Sequence, residues 1–86
     1  MRLVSGAEVW RWHATHGVPL EISLPMLADR GLVPTWDTLL DYAHKDGANE
    51  KTLIRRLQSA AQDAYGKDVG RVISERLSLL GQSRGH

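Results

Sequence analysis

The sequence predicts an all-α protein, a compact orthogonal bundle of four to five short helices. Apolar residues recur at steps of three and four through most of its 86 residues, the spacing of one helix face. Gly17, Gly31, Gly47, Gly66 and Gly81 fall where those steps stop. Glycine suits the position just past a helix, because it enters the left-handed conformation without a Cβ clash. No segment shows the two-residue alternation of a half-buried strand.

Ser5-Gly6-Ala7-Glu8 has the form of a capping box and opens a first helix over 6–16. Val9, Trp12, His13 and His16 fall on one side of it, and Leu3, Ala7, Trp10 and Ala14 on the other. Trp10 and Trp12 are about 200° apart around a helix, so one tryptophan is exposed unless neighbours cover both faces. Pro19 and Pro25 bracket the next stretch. A proline inside a helix removes a backbone bond, so 18–22 is expected to approach extended. Ser23 then caps a short helix with Leu24, Leu27 and Ala28 inward. Leu32-Val33-Pro34 reads as a tight connection and Thr35 as the next cap. Trp36, Leu39, Leu40 and Ala43 form the clearest helical stripe, with Asp37, Asp41 and Lys45 on its wet face. Asn49 caps the longest helix, 50–65, carrying Leu53, Ile54, Leu57, Ala60 and Ala61. A last helix follows Asp68, with Val69, Val72, Ile73, Leu77 and Leu80 inward and Leu79 off that stripe, a candidate for a dimer seam. One domain over 1–81 and a flexible tail over 82–86 complete the layout. Its expected core is Val9, Trp12, Leu27, Trp36, Leu39, Leu40, Leu53, Ile54, Leu57, Val72, Ile73 and Leu77.

Composition narrows the chemistry. The absence of cysteine removes disulfides, thiolate nucleophiles and thiolate metal sites together. No run approaches the roughly 20 apolar residues of a membrane span, and the opening residues lack a leader's apolar stretch. The expected setting is the cytoplasm, with no membrane partner. Net charge is +1, distributed unevenly. Residues 1–33 balance; residues 34–48 carry three aspartates against Lys45; residues 49–86 carry seven basic side chains against four acidic ones.

His13 and His16 could share a metal across one helical turn, but no third ligand has a recognised spacing, so no metal or cofactor is expected. The carboxylates fall on predicted solvent faces, and no nucleophile elbow, P-loop or dinucleotide glycine pattern occurs, so the chain is not expected to be an enzyme. Two binding readings remain. In the first, Trp10, Arg11 and Ala14 on the first helix contact another protein, because tryptophan and arginine are enriched among interface hot spots. In the second, Lys51, Arg55 and Arg56, with Ser59 and Gln62 beside them, bind nucleic acid through phosphate contacts. A helix-turn-helix layout is also present at 23–31, 32–34 and 35–46, although its second helix shows Asp37, Asp41 and Asp46 where a groove-reading helix needs cations.

The spacing of Val9, Trp12 and Gly17-Val18 resembles the first helix and turn of sterile-alpha-motif domains, which are five-helix interaction modules. Gly31-Leu32, Trp36, Leu39 and Leu40 are similar to later apolar positions of that family. The likeness covers about half the chain. Glu21 and Pro25 stand where aromatics belong, and the glycine that family carries after the position of Gly47 is missing. What the resemblance implies agrees with the first binding reading. The expected function is therefore non-catalytic protein recognition by a monomer or weak homodimer, with nucleic-acid binding by the fourth helix as the alternative.

Overall fold

Ser5 adopts an extended conformation and its hydroxyl accepts from the Ala7 N–H, which starts α1 (Gly6–His16). The second half of the capping box does not form: Glu8 turns to Arg11, 3.1 Å away. The computed structural model describes residues 1–84, and four more helices follow. These are α2 (Leu20–Asp29), α3 (Trp36–Lys45), α4 (Glu50–Tyr65) and α5 (Lys67–Arg84). The protein is a small all-α bundle. α1 packs on α3, α2 on α4, and α5 along the length of α4.

Two short strands, absent from the sequence reading, join the ends of the first half. β1 (Arg2–Val4) lies parallel to β2 (Leu32–Pro34), with Leu3 opposite Val33. The Arg2 N–H donates to the Gly31 carbonyl at 2.9 Å and the Thr35 N–H to the Val4 carbonyl at 2.9 Å. Three residues are too few to establish an alternation, and the pairing joins segments that are distant in sequence. The residues expected to form a tight connection are therefore a strand, and Leu3, expected on a helix face, is exposed on β1.

α2 is longer than expected. It starts at Leu20 after Pro19 and runs through Pro25. Leu20, Ser23, Leu24 and Leu27, at i, i+3, i+4 and i+7, are all buried. Their burial offsets the interior proline, which costs a helix about 3 kcal/mol. Ser23 is not a cap: its hydroxyl donates to the Pro19 carbonyl at 3.3 Å, satisfying a fully buried polar group. Thr35 caps a different helix from the one expected, because its Oγ1 accepts from the Gly6 N–H at 2.9 Å and thus serves the start of α1. Asn49 caps α4 as read, accepting from the Thr52 N–H at 3.0 Å.

Gly17, Gly31, Gly47 and Gly66 have positive φ. Gly81 does not close a helix but lies inside α5, where a Cβ would come within 2.8 Å of Ile54 Cδ1. Its role is close approach. Gln82–Arg84, expected in the tail, continue α5; residues 85–86 lie outside the described residues. Arg84 reaches Glu50 at 2.8 Å and Asp41 at 2.5 Å, tying the end of α5 to α3 and α4.

Most of the expected core is buried, with Ile54 half-buried. Two members are not: Val72 is 65% exposed and Trp12 37%. Val69, also expected inward, is exposed. Trp10, Leu20, Leu24, Ala43, Ala60 and Ala61 complete the core instead.

Tyr65 joins the two halves at the end of α4. Its hydroxyl donates to the Leu32 carbonyl at 2.8 Å, and burial pushes its pKa from 10.0 up to about 12. The fold favours the neutral phenol, so this contribution is complete below pH 10 and is lost as pH rises towards 12. Tyr65→Phe is expected to lower stability by about 1 kcal/mol at neutral pH. Urea midpoints measured from pH 9 upward should then bring wild type down towards the variant. Parallel curves for the two proteins would remove the assigned role of the phenol.

Candidate functional site

The three residues expected to contact a protein lie together between α1 and α3. Trp10, Arg11 and Ala14 line a recess of about 150 Å³ with Thr15, Tyr42 and Asp46. Its chemistry differs from the expectation. Trp10 is only 8% exposed, its indole N–H donates to Asp46 Oδ2 at 2.6 Å, and its ring sits 5.0 Å from that of His13. Trp10 is therefore a core residue forming the floor of the recess. Arg11 pairs with Glu8, and the volume is below the roughly 300 Å³ of an ordinary ligand pocket. The exposed tryptophan of this helix is Trp12.

The basic set on α4 divides. Arg56 forks onto Glu21 of α2, with nitrogen–oxygen distances of 3.0 and 3.2 Å. This guanidinium holds the Glu21 carboxyl below its usual pKa. Arg56 is thus already neutralised. Ser59 and Gln62 are both exposed, and the backbone of Gln62 also lies against Gly70, where a Cβ would fall 2.6 Å from Gln62 Cα. Lys51 and Arg55 form no ion pair among the described residues.

Lys51 and Arg55 edge an open groove of about 770 Å³ between α4 and α5. Asn49 and Glu50 stand at its α4 end, and Ser78, Gly81 and Gln82 form the α5 wall. Ile54, half-buried, supplies apolar surface to the lining, with its Cδ1 packed over Gly81 of α5. Gln58 is held in place by donating to the Ser74 carbonyl at 3.0 Å. Glu50 pairs with Arg84, which it shares with Asp41, whereas Lys51 and Arg55 are the cations of the lining with no carboxylate partner among the described residues.

No protein-family model, curated protein or solved structure matches this chain.

The helix-turn-helix layout is not assembled. α2 packs on α4 and α3 on α1, with β2 between the two helices that would form the motif. Sequence reasoning finds Lys51 and Arg55 but misses the α5 wall, because Gly81 reads as a stop. A usable signal is present: Gly70, Ser74 and Gly81 put small residues on one face over three turns, as close helix–helix approach requires. Among the described residues no helix is long and apolar enough to cross a membrane.

Proposed function

We propose that this chain is a non-catalytic protein-recognition domain, and that the groove between α4 and α5 seats an acidic segment of its partner. The observation carrying the proposal is the pair of unpaired cations, Lys51 and Arg55, one turn apart on the rim of a concave surface with Ile54 inside it. An acidic side chain would meet either cation while an adjacent apolar one covers Ile54. Complementary charge of this kind sets partner choice and association rate. Nucleic acid fits the same surface less well, since Arg56 is occupied by Glu21 and only two cations of the basic turn remain without a partner among the described residues. Two cations release too few counterions for strong duplex binding.

The test titrates the protein into a labelled helical peptide of alternating glutamate and leucine pairs, and separately into labelled duplex DNA. Peptide binding is expected, and the double variant Lys51→Glu/Arg55→Glu should weaken it by at least about tenfold without shifting the melting temperature. Binding of DNA alone, falling steeply with salt, would replace this reading with nucleic-acid recognition. Peptide binding indifferent to the double variant would move the contact surface elsewhere.

A further inference from the structure

α5 has a second uncovered flank, away from the groove. Val69, Val72, Arg76 and Leu79 follow one another at steps of three and four residues, the spacing of a helix–helix seam. All four are exposed, Val72 at 65% and Leu79 at 60%. Arg76 also borders a recess with Leu3, Val33, Trp36 and Asp37, beyond which Leu3 of β1 is 71% exposed. Single exposed apolar residues are ordinary in soluble proteins, but a connected row of them marks an interaction surface. At its middle stand Glu75 and Arg76, adjacent and opposite in sign, neither ion-paired among the described residues.

We propose that this strip docks on the same strip of a second copy, the two α5 helices running antiparallel about a twofold axis beside Glu75 and Arg76. The axis sets Val72 of one copy opposite Leu79 of the other. It also sets Glu75 opposite Arg76, and does so twice, because an isologous contact repeats each pair. A parallel pairing would instead oppose each charge to its own kind. Charge complementarity thus selects both the occupant and its direction. An 18-residue helix is about 27 Å long, so the contact is smaller than a standard stable interface and the dimer is concentration-dependent. The surface is separate from the α4–α5 groove and stands whether or not the groove binds a partner.

Sedimentation velocity over a concentration series to about 1 mM tests this, with circular dichroism as the folding control. Wild type is expected to show a reversible monomer–dimer equilibrium. Glu75→Arg and Arg76→Glu should each weaken it by at least about tenfold, since each sets like charges face to face. Mixing the two variants in equal amounts should restore a dimer, because the adjacent pair of arginines in the first variant then opposes the adjacent pair of glutamates in the second. Val72→Glu should abolish association on its own. A wild type that stays monomeric throughout overturns the proposal. So does a dimer that survives both reversals, or a mixture that associates no better than its components.

Discussion

Trp10→Ala is expected to lower the unfolding free energy by about 3–5 kcal/mol, the usual cost of emptying a buried tryptophan site. A chain of 86 residues has only about 4–13 kcal/mol in total, so the variant loses a large part of its stability. The indole fills the space between α1 and α3 and ties Asp46, just past α3, back to α1. Asp46 remains in contact with water, so its loss of the indole partner adds little and the cavity dominates. Trp12→Ala, on the exposed side of the same helix, should cost less than about 1 kcal/mol. Urea melts of the two variants side by side give the comparison. Equal midpoints would mean that Trp10 is not a core residue, and would return it to the candidate contact surface.

Gly6→Ala is expected to be about as damaging, although it adds a single methyl. The new Cβ would press on the Thr35 carbonyl oxygen, lie 2.5 Å from the Leu39 nitrogen and 2.8 Å from the Leu39 Cβ. Two of these three neighbours are backbone atoms of the α3 start and have no rotamer to change. The start of α1 must therefore move off α3, losing the Gly6–Thr35 hydrogen bond with it. The cost is about 3 kcal/mol or more, a fall in melting temperature of at least about 10 °C. Gly81→Ala is the control, because its Cβ meets only the end of the Ile54 side chain, which can rotate. If Gly6→Ala melts no lower than Gly81→Ala, α1 and α3 do not approach as closely at Thr35 as described.

The fold class and four of the five helices are legible because their information is local. Asn49 capping α4 and the Trp36–Ala43 stripe depend on residues within two turns of one another. What escapes depends on partners far along the chain. The rule against proline inside a helix shortens α2, yet the buried row of Leu20, Ser23, Leu24 and Leu27 outweighs one missing bond. Thr35 is readable as a cap, but its serving α1 is not, since Gly6 lies 29 residues away. The choice between Trp10 and Trp12 cannot be made from spacing, because both faces of α1 carry apolar residues and the packing of α3 against one of them decides it. For the candidate site, Lys51 and Arg55 are visible as a basic turn. The neutralisation of Arg56 by Glu21 and the close approach of Ile54 to Gly81 are not, being properties of helix pairs.

The pairing of β1 with β2 sets an order of events during synthesis. Residues 2–4 leave the ribosome before residues 32–34, so the strand they form has no partner until those follow. Closing that loop carries an entropic cost before any of its contacts is gained. The α4–α5 hairpin, by contrast, joins neighbours across Gly66 and involves only short-range closure. Of the two strands, the one made first must thus wait to be placed, and through Tyr65 the last turn of α4 helps to hold its partner strand there.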